Sequence, residues 1–198
     1  MVVNPYSGNA KRRLDGQQAL AQIAALGSHA ELRLTTGPGH ATELAAAWAA
    51  AGGDLVVAVG GDGTVQEVAR GLVGTSCAMA VLPSGSGNDF AVGVGCATVE
   101  QGLAAVAQGI DVAVDVCALN NMPFVNSCGL LVSGLVSGAA ARYWRWLGPA
   151  RYTLAALRIL LAYRGQHVIW TFGGDGAREV AAGRYLMAEI CNGPLTGG

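Results

Sequence analysis

The chain has 198 residues, enough for one large or two small domains with real cores, and 52% hydrophobic against 13% charged residues describes a packed Ala/Val/Leu-rich protein rather than a disordered one. A formal net charge of −1 with one lysine, Lys11, offers no basic field and argues against a nucleic-acid partner. The five cysteines (Cys77, Cys96, Cys117, Cys128, Cys191) include no C-x-x-C pair and none at ligand spacing from a histidine, so neither a disulfide framework nor a zinc centre is expected and a reducing cytoplasm fits.

In chain order, Met1-Val2-Val3 is a strand stub running into Asn4-Pro5-Tyr6-Ser7-Gly8. It is shorter than the usual strand of about five or six residues, so it is either clipped or begins upstream. No basic-then-apolar signal segment opens the chain. A turn over 9–13 leads to a helix with Leu14, Ala19, Leu20, Ile23, Ala24 and Leu26 at helical spacing, ended by Gly27. Residues 30–35 alternate as a half-buried strand, residues 35–41 form a turn, and 42–51 an Ala-rich helix with His40 as a solvated residue at its start.

The central stretch is Leu55-Val56-Val57-Ala58-Val59, then Gly60-Gly61-Asp62-Gly63-Thr64, then a helical pattern over 65–72 in which Arg70 reads as solvent-facing. The uncharged β-branched run suits a strand covered on both faces. The glycines permit close approach of backbone N–H groups to a ligand. Thr64 is placed to cap the helix, at the dipole end that favours a phosphate. Asp62 has two readings. A carboxylate among phosphate-facing amides needs a bridging divalent cation or a role as base, or else it only satisfies backbone N–H groups of the turn. A second apolar run, 78–82, ends in Pro83-Ser84-Gly85-Ser86-Gly87-Asn88-Asp89, and this repetition of a glycine-rich turn with a carboxylate favours phosphate chemistry.

The order and spacing of Asn-Pro-x-Ser-Gly, Gly-Gly-Asp-Gly-Thr and Pro-x-Gly-x-Gly-Asn-Asp resemble the diacylglycerol kinase catalytic domain family, which also holds sphingosine, ceramide and bacterial lipid kinases. A lone Gly-Gly-Asp-Gly would also suit NAD kinases or 6-phosphofructokinases; the second turn, followed by Phe90-Ala91, points to the lipid-kinase branch. The resemblance implies that ATP is bound by Asn4, Pro5, Ser7, Gly8, Thr35, Gly60, Gly61, Asp62, Gly63, Thr64, Glu67, Gly85, Ser86, Gly87 and Asn88. It further implies Mg²⁺ held largely through waters by Asp62, Asp89 and Asp115, which suits an ion reluctant to dehydrate. Asp62 is the catalytic candidate, matching the aspartate assigned as base in sphingosine kinases. Bacterial diacylglycerol kinases instead use a glutamate near the C-terminus. That glutamate and an acidic structural Mg²⁺ segment would fall beyond Gly198, so the resemblance implies an incomplete chain with unpaired strand edges. No Walker A or protein-kinase catalytic loop is present.

Residues 99–108 read as a helix and 110–119 as an alternating strand with Asp111 and Asp115. Strand–helix alternation to about residue 117 predicts a doubly wound parallel sheet with its site at the strand carboxyl ends. The pattern then changes. Residues 122–126 and 128–137 are strand-like, 139–145 and 151–163 read as helices around Leu147-Gly148-Pro149, and strands follow at 167–172 and 184–191. Leu154, Leu157, Leu160 and Leu161 line one face of the second helix. Gly173-Gly174-Asp175-Gly176 repeats the central motif with no helix after it and reads as a hairpin turn. No charge occurs between Asp115 and Arg142, yet Asn120, Asn121, Pro123 and Asn126 interrupt the run, so no transmembrane segment is expected. Trp144 and Trp146 among Arg142, Arg145 and Arg151 read as an amphipathic surface helix, with contact to a membrane interface as the alternative.

The resemblance continues through 152–158 and Asn192-Gly193. It is broken at Leu131-Val132-Ser133, where many members read Gly-Phe-Asp; that aspartate contacts the lipid head in sphingosine kinases, so its absence favours diacylglycerol over a sphingoid base. The expected fold is α/β: a doubly wound parallel-sheet nucleotide-binding domain over 1–117 and a truncated, mainly β second domain over 118–198, part of a lipid-binding domain. The implied protein is an ATP- and Mg²⁺-dependent lipid kinase, cytoplasmic and peripheral at the inner membrane face, converting diacylglycerol to phosphatidic acid, with a homodimer implied by bacterial relatives. Competing readings are a sphingoid-base, ceramide or NAD kinase, or a catalytically silent nucleotide-binding module.

Overall fold

A computed structural model describes residues 1–8, 16–25, 29–140, 150–172 and 178–195. At its centre are four parallel strands, β1 (Val2–Val3), β2 (Arg33–Leu34), β3 (Leu55–Gly60) and β4 (Ala78–Pro83), in the order β2-β1-β3-β4. Helices α1 (Gly16–Ala24), α2 (His40–Ala50) and α3 (Asp62–Leu72) connect them, and α4 (Asp89–Gly93) and α5 (Val99–Gln108) follow β4.

Side chains alternate across a strand, so an all-apolar strand can feed two cores. Val56 and Ala58 enter one with Val65, Val68 and Leu72 of α3 and Ala41 and Ala45 of α2. Val57 and Val59 enter the other with Ala19 and Ile23 of α1, Leu82 of β4 and Leu103 of α5. Because β1 lies between β2 and β3, the first crossover runs outward and the second returns past β1. The strand order therefore reverses between β1 and β3, and in open α/β sheets the crevice outside the carboxyl ends at such a point receives ligands.

Several boundaries differ from the sequence reading. The strand expected over 30–35 pairs only at Arg33 and Leu34, because β1 offers only Val2 and Val3 as partners. Helix α3 begins at Asp62 with Gly61 as its N-cap, so Gly63 and Thr64 lie in its first turn and Thr64 does not cap it. Among the described residues, 110–116 form no strand; pairing starts at β5 (Cys117–Leu119), which joins β6 (Met122–Phe124) through Asn120 and Asn121, both at positive φ. Alternation shapes a strand but does not supply its partner.

Two compact units result, Met1–Asn126 with the chain from Cys191 onward, and Ser127–Ile190; the first includes the β5–β6 hairpin beyond residue 117. The second contains β7 (Ser127–Leu131), α6 (Val132–Ala140), α7 (Ala150–Ala162), the antiparallel hairpin of β8 (Gln166–Phe172) and β9 (Arg178–Tyr185), and β10 (Met187–Cys191), which pairs with β7. The strand expected over 128–137 stops at Leu131, whose φ of 59° turns the chain into α6. The turns expected over 9–13, 147–149 and 173–176, the Gly27 stop and residues 141–145 of the helix expected over 139–145 lie outside the described residues.

Candidate functional site

Three loops interlock at the carboxyl ends of β1, β3 and β4. After β1, the Asn4 N–H donates to Val59 O at 3.0 Å, and its side-chain Nδ2 donates to the buried Thr64 Oγ1 at 3.0 Å. Asn4 Oδ1 accepts from Tyr6 N at 2.9 Å, so one side chain ties its own turn to the start of α3. Ser7 Oγ lies 3.0 Å from Asn4 O and 2.7 Å from Ser84 Oγ, and Ser84 N donates to Gly60 O at 2.9 Å, which closes the ring of loops.

Two glycines let the loops meet. A Cβ on Gly8, at φ +72°, would stand 2.0 Å from Ser84 O, and one on Gly85 would stand 2.5 Å from the Gly61 Cα. No other residue fits backbones this close.

Asp62 sits between two of the turns. Its Oδ2 accepts from Asn88 N at 2.8 Å and its Oδ1 from Phe90 N at 3.2 Å. Asn88, at φ 64°, clamps its own turn: Oδ1 accepts from Gly85 N at 2.9 Å and Nδ2 donates to Gly85 O at 3.0 Å. The satisfaction of backbone N–H groups is thus present in the geometry. Each Asp62 oxygen also retains a second acceptor direction.

The family model of the diacylglycerol kinase catalytic domain matches residues 1–119, which hold all three loops. The chain belongs to the diacylglycerol kinase catalytic domain family. A diacylglycerol kinase of Bacillus subtilis is 28% identical over 179 residues, covering 88% of this chain and 59% of that protein. A Chromohalobacter salexigens protein named "Probable lipid kinase YegS-like" is 30% identical over 200 residues, covering 97% of this chain and 62% of its own. A diacylglycerol kinase crystal structure from Bacillus anthracis matches with a TM-score of 0.67 at 23% identity, covering 100% of this chain and 63% of that one, and so shares the fold. The chain spans about three fifths of the length of these relatives.

Within this diacylglycerol kinase family domain the expected site residues divide into two groups. Asn4, Ser7, Gly8, Gly60, Gly61, Asp62, Thr64, Gly85 and Asn88 form the interlock, with Gly63 and Ser86 exposed at its rim and Gly87 partly so. Asn4, Pro5 and Ser7 also line a cavity of about 320 Å³ with Gln17, Leu34 and Ser84. Thr35 is buried at the carboxyl end of β2, its N–H donating to Val3 O at 2.9 Å.

Glu67 and Asp115 stand apart from the interlock. Glu67 Oε2 accepts from Ala41 N at 3.2 Å, giving α2 the N-terminal acceptor that its Gly39 cap lacks. Asp115 lies before β5, outside any helix or strand, its carbonyl accepting from Asn192 Nδ2 at 2.6 Å. Asp89 is buried at the start of α4. Among the described residues no three His, Cys, Asp or Glu side chains gather as direct metal ligands. His40 is half-buried and closes its turn, its Nδ1 accepting from Thr36 N at 3.0 Å.

Other polar residues shape this region without having been assigned to the site. Arg70, expected to face solvent, donates through Nε to Pro123 O at 3.1 Å, because Gln66 on the same helix holds the same carbonyl at 2.7 Å and accepts from Val125 N at 3.1 Å. Asn192 donates to Val125 O at 3.1 Å as well as to Asp115 O. Ser84 carries the one usable signal, a serine between the strand-ending Pro83 and a glycine turn.

Proposed function

We propose that the protein is an ATP- and Mg²⁺-dependent kinase that transfers the γ-phosphate to a lipid hydroxyl, with diacylglycerol as acceptor and phosphatidic acid as product. The observation that carries the reading is the three-loop interlock at the reversal of strand order, with Asp62 fixed between two of its turns. Gly63 has nothing within 4 Å of a Cβ position, so the first turn of α3 is uncovered at that residue, and the backbone N–H groups and dipole at this end of the helix favour a phosphate. Ser7, Thr64 and Ser86 add hydroxyls to these donors.

The carboxylates fit an ion held through waters. Asp62 has one acceptor direction left on each oxygen, free for the water shell of a hydrated cation, and Asp89 and Asp115 are the other carboxylates assigned to that ion. When bound, the cation neutralises charge developing on the transferred phosphate. Asp62, held in one orientation by Asn88 and Phe90 N–H, is the group that orients the acceptor hydroxyl and takes its proton. Ser133, uncharged, offers no ion-pair partner for a sphingoid amine and suits a neutral hydroxylated lipid. The protein acts from the cytoplasm at the inner membrane face; among the described residues no helix is long and apolar enough to cross a membrane.

The test is transfer of labelled γ-phosphate from ATP to a membrane lipid extract by the full-length protein. Labelled phosphatidic acid that falls at least about a thousandfold in Asp62→Ala is the expected result. A different labelled lipid replaces the acceptor, and no labelled lipid from a folded, ATP-binding protein leaves only a nucleotide-binding module.

A further inference from the structure

Among the described side chains of helix α7 the one buried is an alanine, while all four leucines are exposed. Ala155 is fully buried and Ala156 and Ile159 half-buried, whereas Leu154, Leu157, Leu160 and Leu161 are 46%, 59%, 53% and 78% exposed. A helix packed only against its own unit turns its larger apolar residues inward. Leu154, Leu157 and Leu161 recur at i, i+3 and i+7 and so form one stripe. Arg158 lies on that stripe and Arg164 just past the helix end; both are exposed, and α7 contains no acidic residue.

The charge of the unit that carries α7 has the sign an anionic surface attracts. Ser127–Ile190 holds seven arginines against three acidic residues, whereas the remainder holds five basic against ten acidic. The net charge of −1 thus conceals a positive second unit.

We propose that the leucine and arginine face of α7 is a docking surface for an anionic lipid bilayer, on which the helix lies in the interface plane. The leucines enter the boundary between headgroups and acyl chains, and the arginine stems follow them while the guanidinium groups stay among lipid phosphates. The proposal rests on the lipid-kinase reading, since an acceptor embedded in a bilayer has to be reached from its surface. The rival occupant is further protein, because the chain spans about three fifths of its relatives' length.

The experiment is co-sedimentation of the full-length protein with phosphatidylcholine vesicles, with and without phosphatidylglycerol. The double variant Leu157→Gln, Leu161→Gln is expected to partition at least about tenfold less, with an unchanged melting temperature. Arg158→Gln and Arg164→Gln are each expected to weaken binding roughly fivefold on anionic vesicles and not on neutral ones. Unchanged partitioning of the leucine variant overturns the proposal, and so does a lowered melting temperature, which would mean that protein covers the face. Phosphate transfer to a short-chain diacylglycerol supplied as monomer separates the two readings: the variants keep it if both hold. A wild-type protein that binds vesicles through α7 but phosphorylates no lipid removes the kinase reading alone.

Discussion

At Gly85 a single methyl group decides whether two turns can touch. Its Cβ would stand 2.5 Å from the Gly61 Cα and 2.8 Å from Asn88 Oδ1, and backbone on one side with a clamped amide on the other leaves no room to yield. Gly85→Ala is expected to cost about 1–3 kcal/mol in urea denaturation and to abolish ATP binding measured by calorimetry. Gly63→Ala, facing open space, should stay within about 0.5 kcal/mol of the parent. The cysteines respond to their surroundings in another way. Burial pushes the Cys77 and Cys96 thiols up, with the nearby Asp54 charge adding to the effect at Cys77. A raised thiol pKa means less thiolate at any pH below it, so at pH about 8 both should alkylate more slowly in the native protein than in the unfolded chain, as peptide mass spectrometry would show. The two roles open to Asp62 were both visible in its spacing, but only the fold shows which N–H groups it takes: those of Asn88 and Phe90, in a different turn.

Among the elements, α3 does more than close the central turn. On one side Glu67 caps α2, and on another Gln66 and Arg70 hold the β5–β6 hairpin. Gln66→Ala leaves the Val125 N–H without its acceptor, and a loss of about 1–3 kcal/mol is expected, measured by thermal unfolding. The helix itself was legible from its period, and so were the glycine turns, because both are local. The bonds to the hairpin were not legible: they join residues more than fifty positions apart and leave no periodic trace. Helix α6 escaped notice for a different reason. Its Val, Leu and small residues suit either state, and the change of state falls on Leu131, a leucine at positive φ, where sequence gives no warning.

Across the whole molecule, the alternation of strands and helices was enough to foresee a parallel sheet. The reversal between β1 and β3, which brings the three loops into one place, depends on strand order and appears only in the fold. The uneven division of charge between the two units was countable from the sequence, but it acquired meaning only once the unit boundary was known. That boundary has one more property. The N–H groups of Asn192 and Gly193 both donate to Asn126 O, at 2.7 and 3.0 Å, so the chain leaves the first unit and re-enters it at a single point. Ser127–Ile190 is a guest spliced into a host through a closed neck. Among the described residues both cores of the parallel sheet are built from the host alone, so the guest can be exchanged for another at this neck without cutting the scaffold that carries the three loops.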